Sequence, residues 1–311
     1  MFCLRSPRLR AVTPVIIPYI FLPRNRALWY TLGMEKIIHE KAYAKLNLTL
    51  GVTGKRADGY HLLDSLMLTT SLCDELTVER SNDVLITVTG ATLPYRNTVR
   101  SAVEYYRALT GRGAAVRLKK RIPSEAGLGG GSADAAAVLR ALDRLYGDTD
   151  EQTLYAIALK VGADVPFCLK GGLCRARGIG ELLEPLPIGG PLHFVIAKPA
   201  QGVSTKALFT ALQLPCPMPD NLAAARALQA GDAKALAPLL FNALEAPARA
   251  CVPDIAVIEE KLLSLGALGV CMSGSGSAVF GLFPGAEQAR AAERALAGEP
   301  VCAFAQAVRS V

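Results

Sequence analysis

The sequence predicts a protein of mixed strands and helices, with room for one large or two ordinary domains. Its 311 residues are 51% hydrophobic and 20% charged, a composition typical of a globular chain with a sizeable core. Segments with an apolar residue at every second position, which indicate strands, occur in both halves of the chain. Between them lie segments whose apolar residues repeat every three to four positions, which indicates helices. This mixture predicts a fold that contains both sheets and helices.

Residues 1–33 differ in composition from the rest of the chain. They contain five of the 34 basic residues and no acidic residue, so most of the formal charge of +7 belongs to this segment. Their basic and then apolar order is that of a signal peptide, but Pro14 and Pro18 interrupt the apolar run, and Pro23 stands where a small-residue cleavage site belongs. We therefore predict a non-native or disordered extension before a true start at Met34, with a targeting segment as the alternative.

Charge, hydropathy and cysteine spacing limit the possible functions. Beyond residue 33 the chain is nearly neutral, which argues against a nucleic-acid partner. No apolar run is long enough for a membrane span. The cysteines form no Cys-x-x-Cys pattern, so we expect free thiols in a cytoplasmic protein rather than disulfides or a metal site. They are Cys3, Cys73, Cys168, Cys174, Cys216, Cys251, Cys271 and Cys302.

The first predicted strand covers residues 43–52. Its alternation directs Ala44, Leu46 and Leu48 toward the core and places Lys45 and Asn47 together on the other face. An ordinary solvated face would look the same. The next residues, 51–61, form a loop rich in hydrogen-bonding groups with an aromatic residue near its tip, which favours a binding role.

Further strands and a helix follow up to residue 121. Alternating segments predict strands over 66–80 and 84–90, and a short strand at 116–118. Between the last two, the pattern predicts a helix capped by Asn97 and closed by Gly111.

Residues 123–133 form a candidate phosphate loop. Four glycines within 127–131 leave the backbone open to close approach, and residues 135–146 then repeat as a helix. Unpaired N–H groups in the first turn of a helix, together with its dipole, favour an anion. Ser132 is a candidate N-cap, or a phosphate and metal contact. A plain glycine turn capped by Ser132 is the alternative, and neither a Walker A loop nor a Gly-x-Gly-x-x-Gly fingerprint is present.

Asp164 is a candidate catalytic carboxylate. It follows a helix predicted over 151–161 and lies in the segment Gly162-Ala-Asp-Val-Pro-Phe167, which is otherwise apolar. A carboxylate there either caps a turn or, with a lysine nearby, accepts a proton from an alcohol.

The remaining chain alternates strands and helices. We predict a strand over 192–198, a helix over 221–264, a strand over 278–283, a helix over 286–297 and a last strand over 301–308. A second glycine-rich segment, Cys-Met-Ser-Gly-Ser-Gly-Ser-Ala-Val-Phe, occupies 271–280.

Several of these motifs resemble one superfamily. Pro-x-x-x-Gly-Leu-Gly-Gly-Gly-Ser-x-Asp-Ala-Ala, from Pro123, is similar to the phosphate loop of the GHMP kinases, which include galactokinase, homoserine kinase and mevalonate kinase. Ala44-Lys-Leu-Asn-Leu, Asp58-Gly-Tyr-His61 and Gly162-Ala-Asp-Val-Pro166 resemble, more narrowly, the 4-diphosphocytidyl-2-C-methyl-D-erythritol kinase family. The resemblance covers the chain after Met34 and implies ATP-dependent phosphorylation of the 2-hydroxyl of that alcohol, in the non-mevalonate isoprenoid pathway.

The resemblance also implies the α+β class, as a two-domain GHMP kinase fold. Residues 34–190 would form a ribosomal-protein-S5-domain-2-like ATP-binding domain with a left-handed βαβ crossover. Residues 191–311 would form a ferredoxin-like substrate-binding domain, with the active site in the cleft between the two.

Roles for individual residues follow from the same resemblance. Lys45 and Asp164 would be catalytic, with Asp164 as the base. Tyr60 and Phe209 would enclose the cytosine, although Phe209 is equally compatible with a core position. The implied substrate-binding residues are Asn47, Tyr60, His61, Thr205 and Phe209. The implied ATP-binding residues are Asn97, Pro123, Ser124, Glu125, Ala126, Gly127, Leu128, Gly129, Gly130, Gly131, Ser132 and Ala133.

The expected ligands are ATP, Mg²⁺ and one small-molecule substrate. Ser132 is the candidate Mg²⁺ ligand, and Asp134 either contributes to it or favours the helix N-terminus. We expect a monomer or weak homodimer without a nucleic-acid or membrane partner.

Two alternatives remain open: another GHMP small-molecule kinase of the homoserine or mevalonate type, and a non-enzymatic GHMP-fold binding protein. The Asp-Gly-Tyr-His loop argues against the first, and the presence of Lys45 and Asp164 against the second.

Overall fold

The computed structural model describes residues 37–311, so the predicted extension 1–33 lies outside the described residues. No helix within this range is both long enough and apolar enough to cross a lipid bilayer. The cysteines from Cys73 to Cys302 are free thiols, as predicted, while Cys3 falls in the part that is not described.

A mixed sheet is built around two long strands. Strand β1 is antiparallel to β2, from the Ile38–Val78 pair to the Lys55–His61 pair. The order is β3-β4-β2-β1-β8, and β5 adds to β2 while β6 adds to β5. The strands are β1 (Ile38–Lys55), β2 (His61–Ser81), β3 (Val84–Thr89), β4 (Gly113–Lys119), β5 (Leu173–Gly178), β6 (Leu182–Leu186) and β8 (Phe241–Asn242).

Four helices contribute to the core beside this sheet. They are α1 (Thr98–Thr110), α2 (Gly130–Tyr146), α3 (Glu151–Val161) and α4 (Val165–Lys170). The predicted ends of α1 are confirmed: the Asn97 side chain accepts a hydrogen bond from the backbone N–H of Arg100, and Gly111 closes the helix. Helix α1 connects β3 to β4, which are parallel neighbours.

A second, antiparallel sheet follows in the chain. Its order is β11-β7-β10-β9, so its strands lie in the sequence fourth, first, third, second, which is the ferredoxin-like arrangement. The strands are β7 (His193–Lys198), β9 (Gly269–Met272), β10 (Val279–Phe283) and β11 (Phe304–Arg309). The helices of this part are α5 (Thr205–Ala211), α6 (Asn221–Ala230), α7 (Ala233–Leu236), α8 (Glu245–Cys251), α9 (Asp254–Ser264) and α10 (Ala286–Leu296).

The prediction of one helix over 221–264 is wrong. Helix α6 ends at Gly231, which adopts the left-handed conformation, and a short 3₁₀ turn at Ala237–Leu239 precedes β8. Proline also stands at the N-cap of α9, Pro253. The alanine and leucine content favoured helix throughout, but Gly231 ends α6 ahead of β8, which pairs with β1, and Pro253 stands between α8 and α9.

One hydrophobic cluster joins the two sheets. It contains Leu46 and Leu66 from the first sheet and Phe194 and Phe280 from the second, all fully buried. The predicted inward face of β1 is therefore confirmed, since Ala44, Leu46 and Leu48 have no exposed surface. This shared core fixes the position of the second glycine-rich segment relative to the phosphate loop.

Candidate active site

Both glycine-rich segments line one cavity of about 710 Å³. Its lining includes residues 122–131, Asn97, Thr98, Lys120, Asp134, residues 202–205, Ser275 and Gly276. The cavity therefore brings together most of the residues predicted to bind ATP, and Thr205. A larger cavity of about 1240 Å³ lies beside β1 and β4. None of the predicted site residues lines it, so we do not assign the active site to this cavity.

Helix α2 begins at the phosphate loop without a side-chain cap. The helix starts at Gly130, and Gly129 occupies the N-cap position, so the prediction of Ser132 as cap is wrong. The helix thus starts before the apolar repeat that predicted it. In this first turn the Thr98 hydroxyl donates a 2.6 Å hydrogen bond to the carbonyl of Gly131. Since no side chain occupies the first N–H groups, they and the positive end of the helix dipole remain available to an anion. Neither Ser132 nor Ala133 is among the residues that line the cavity.

The phosphate loop is hydrogen-bonded to the second glycine-rich segment. The Ser273 hydroxyl donates to the carbonyl of Gly127 over 3.1 Å, and the backbone N–H of Ser277 donates to the carbonyl of Glu125 over 3.2 Å. A β-carbon on Gly127, which has a φ of 69°, would lie 2.0 Å from the carbonyl oxygen of Ser273. A side chain at Gly127 is therefore incompatible with this contact.

Lys45 and Asp164 lie beside the phosphate loop. The backbone N–H of Lys45 donates to the carbonyl of Leu128 over 3.0 Å, which places this residue directly behind the loop. Its ammonium is 3.7 Å from Oδ2 of Asp164. The Lys45 side chain is 4% exposed and that of Asp164 is 37% exposed, so the carboxylate is accessible to a substrate.

The Asp164 carboxylate is not used to cap a helix. Asp164 occupies the N-cap position of α4, but its side chain accepts no capping hydrogen bond. The alternative drawn from the sequence, a turn-capping aspartate, therefore does not account for this side chain. Its carboxylate faces the Lys45 ammonium and solvent instead.

Asn47 joins Lys45 to a residue that the sequence did not indicate. Its Oδ1 accepts a hydrogen bond from the Lys45 ammonium, and its Nδ2 donates to the Ser65 hydroxyl over 2.8 Å. Asn47 and Ser65 are 3% and 1% exposed. The face of β1 with Lys45 and Asn47 is thus not solvated but part of a buried polar network. Only the pairing of β1 with β2 identifies Ser65 as a member.

Lys120 links the phosphate loop to two buried carboxylates. Its ammonium donates to Asp74 and, over 2.7 Å, to Oδ2 of Asp134, while Oδ1 of Asp74 accepts from the backbone N–H of Ile122 over 2.8 Å. Burial and the neighbouring Asp74 raise the pKa of Asp134 to about 7, although Lys120 opposes the shift. Asp74 was not indicated by the sequence, because it is distant in the chain and lies within a strand.

The predicted cytosine-binding residues lie near the end of the β1–β2 hairpin. Tyr60 is 58% exposed. The ring that stacks on Phe209 is His61, with centroids 4.8 Å apart and planes 25° from parallel. Burial and the nearby Lys55 lower the pKa of His61, which favours a neutral imidazole. The Thr205 hydroxyl is 2.7 Å from that of Ser275, so this residue links α5 to the second glycine-rich segment.

Asn97 serves a structural role as well as lining the cavity. Its Oδ1 accepts from the backbone N–H of Arg100 over 3.0 Å and its Nδ2 donates to the carbonyl of Pro94 over 2.8 Å. Each end of this amide keeps one further hydrogen-bonding position for a ligand.

Within residues 37–311, no three acidic, histidine or cysteine side chains are arranged to hold a metal ion. One carboxylate oxygen at the cavity nevertheless lacks a partner: Oδ1 of Asp134 is buried and makes no hydrogen bond. Mg²⁺ in phosphoryl-transfer sites is commonly bound by one or two carboxylates together with substrate phosphates. Asp134 fits that type of ligand set.

Comparison with known proteins identifies two family domains. Residues 97–172 match the GHMP kinases N terminal domain, and residues 224–301 match the GHMP kinases C terminal domain. The 4-diphosphocytidyl-2-C-methyl-D-erythritol kinase of Carboxydothermus hydrogenoformans is 42% identical over 257 residues, covering 80% of this chain and 89% of that enzyme. The enzyme of the same name from Pelotomaculum thermopropionicum is 44% identical over 263 residues, covering 82% and 92%.

Solved structures give the same result. A crystal structure of 4-(cytidine 5'-diphospho)-2C-methyl-D-erythritol kinase superposes with a TM-score of 0.76 at 39% identity, covering 88% of this chain and 99% of that one. Homoserine kinase from Cytophaga hutchinsonii superposes with a TM-score of 0.68 at 22% identity, over 91% of this chain and 96% of that one, a likeness of fold alone.

Proposed function

The chain belongs to the GHMP kinases and, within them, to the 4-diphosphocytidyl-2-C-methyl-D-erythritol kinase family, and on that basis we propose that it phosphorylates this alcohol at its 2-hydroxyl. The reaction consumes ATP and gives the 2-phosphate and ADP, a step of the methylerythritol phosphate route to isoprenoid and terpenoid precursors. The protein is accordingly an ATP-dependent phosphotransferase with an alcohol as acceptor.

In the proposed mechanism, Asp164 accepts the proton of the 2-hydroxyl. The bond from that oxygen to the γ-phosphorus forms while the bond from the γ-phosphorus to the oxygen shared with the β-phosphate breaks. The Lys45 ammonium, 3.7 Å from Asp164, lies beside this carboxylate and offsets negative charge on the transferring group. Positioning and electrostatics provide most of the catalysis in phosphoryl transfer, which suits a buried charge on β1 and a partly exposed one at the start of α4.

The phosphate loop is the proposed triphosphate site. Backbone N–H groups from Ala126 to Ser132 would donate to phosphate oxygens, a role supported by the uncapped start of α2. Asn97 and the other residues of 123–133 would contact the remaining parts of the nucleotide. Mg²⁺ would enter with the phosphates, with Asp134 and Ser132 as its proposed protein ligands, and would neutralise phosphate charge.

The proposed substrate site adjoins the Lys45–Asp164 pair and shares Thr205 with the cavity at the phosphate loop. Tyr60 presents an exposed ring on which a cytosine can stack, and Phe209 provides a second ring. In the present structure His61 occupies the face of Phe209. We infer that the imidazole moves when cytosine enters and then hydrogen-bonds the base. Asn47 and Thr205 complete the proposed site.

Other properties remain part of this proposal. We assign residues 34–190 to the ATP-binding domain and residues 191–311 to the substrate-binding domain. We propose a cytoplasmic monomer or weak homodimer without a nucleic-acid or membrane partner.

The observation that carries the mechanism is the pairing of Lys45 with a carboxylate that caps no helix. The test is Asp164→Asn in the full chain, with Asp254→Asn, an exposed carboxylate in the first turn of α9, as the control. We expect kcat of Asp164→Asn to fall by on the order of 10² or more, because the base is lost. ATP affinity, measured by calorimetry, should stay close to that of the wild type. Near-normal turnover in Asp164→Asn would contradict the assignment of Asp164 as the base.

A further inference from the structure

A continuous line of hydrogen bonds runs from the catalytic lysine into the first sheet. It consists of the Lys45 ammonium, the Asn47 amide, the Ser65 hydroxyl and the carbonyl of Thr49. The four residues are between 0% and 4% exposed. Water therefore cannot replace a missing partner at low cost.

Each group in this line has only one compatible role. The Lys45 ammonium can only donate, so the Asn47 atom that faces it must be Oδ1. Nδ2 of Asn47 therefore faces Ser65, and the Ser65 oxygen must accept. The Ser65 proton is left for the carbonyl of Thr49, 2.5 Å away. The line is thus ordered in one direction, with Ser65 as the group that anchors the amide.

We infer that Ser65 is a positioning residue for phosphoryl transfer: through the Asn47 amide, its hydroxyl holds the Lys45 ammonium beside Asp164. The inference rests on the proposed function of Lys45. Without the Ser65 oxygen, Nδ2 of Asn47 is buried with no acceptor, a state that costs free energy until the side chain rotates to another partner. Rotation removes Oδ1 from Lys45, and the ammonium then loses the neighbour that fixes it 3.7 Å from Asp164.

The first test is Ser65→Ala in the full chain. We expect kcat to fall by about tenfold, the effect of one misplaced charged group, while the KM for ATP changes by less than about twofold. Ser65→Cys, which keeps the size but accepts hydrogen bonds weakly, should give a kcat between wild type and Ser65→Ala. Melting temperatures of each variant report whether the fold is intact.

Thr70→Val is the matched control. Thr70 also lies on β2, is fully buried, and donates its hydroxyl to a carbonyl of β1, that of Ala44, but no hydrogen bond from an amide side chain reaches it in the structure. The two variants therefore remove comparable hydroxyls. A loss of kcat in Thr70→Val as large as in Ser65→Ala would overturn the inference.

The decisive test repeats Ser65→Ala in an Asn47→Asp background. A carboxylate has no N–H that needs an acceptor, and either of its oxygens can accept from Lys45. The kcat of Asn47→Asp alone is the reference for this comparison. Adding Ser65→Ala to it should change that kcat by less than about twofold. An equal fold-loss in both backgrounds, or an unchanged kcat in Ser65→Ala alone, would overturn the inference. A wild-type chain without turnover would instead overturn the proposed function and this inference with it.

Discussion

At the scale of single residues, the charge beside the phosphate loop depends on one lysine shared by two buried carboxylates. Lys120 contacts both Asp74 and Asp134, so one carboxylate is left without a full countercharge. Burial and the charge of Asp74 therefore raise the pKa of Asp134 to about 7, and Lys120 only partly opposes the shift. A second carboxyl, Glu259, behaves in the same way: burial and Glu245 raise its pKa to about 7, although Arg249 opposes the shift.

These two carboxyls predict a decrease in stability with rising pH. Because the pKa of Asp134 rises from 3.8 in the unfolded chain to about 7 in the native chain, the native chain binds more of this proton than the unfolded chain between these pH values. Each rise in pH within this window therefore favours unfolding. Asp134→Asn and Glu259→Gln should each flatten the decline in the free energy of unfolding, measured by urea denaturation from pH 4 to pH 7. A slope as steep in the double variant as in the wild type would contradict this account.

At the scale of elements, the site depends on the contact between two glycine-rich segments. Asn242, on β8, holds the second segment from behind: its Nδ2 donates to the carbonyls of Met272 and Gly274 over 2.7 and 2.8 Å. The Ser273 hydroxyl accepts from the backbone N–H of Asn47 and donates to the carbonyl of Gly127. Strand β1, the phosphate loop and the second segment therefore form one hydrogen-bonded unit.

This unit should not tolerate a side chain at Gly127. In Gly127→Ala the new methyl group would meet the Ser273 carbonyl, and the residue would also be in a left-handed conformation. We expect the free energy of unfolding to fall by about 2 kcal/mol or more and ATP affinity to weaken, because both segments must shift.

Gly298→Ala separates the two causes of that loss. Gly298 has a φ of 89°, but nothing lies within 4 Å of a β-carbon built there. This control should show only the conformational cost, about 1 to 2 kcal/mol, with unchanged ATP affinity. Equal effects of the two variants on ATP affinity would argue against the contact between the glycine-rich segments as the reason for glycine at 127.

At the scale of the whole molecule, sequence patterns predicted what depends on neighbours along the chain. The alternation in residues 43–52 gave the buried face of β1, and Asn97 and Gly111 gave the ends of α1, because caps and strand faces are local properties. The motifs in order along the chain also predicted the family, and with it the pair of domains.

Features that depend on sheet register were not predictable. Ser65 is paired with Leu50, and its contact with Asn47 crosses the register irregularity between Asn47 and Thr49. The Asp74–Lys120–Asp134 cluster likewise joins β2, the residue that follows β4, and α2. The predicted start of α2, at residue 135, was too late in the chain. The hydrogen bond from Thr98 to the carbonyl of Gly131 in its first turn is a tertiary contact that no local sequence pattern contains.

The most direct test of the proposed function is phosphorus NMR of three parallel reactions. Each contains the full chain, ATP and Mg²⁺, together with 4-diphosphocytidyl-2-C-methyl-D-erythritol, mevalonate or homoserine. We predict a new phosphomonoester signal in the first reaction alone. Turnover of mevalonate or homoserine, with no signal from the cytidine compound, would contradict the proposed cytosine site at Tyr60 and Phe209. No signal in any of the three would contradict the proposed kinase mechanism at Lys45 and Asp164.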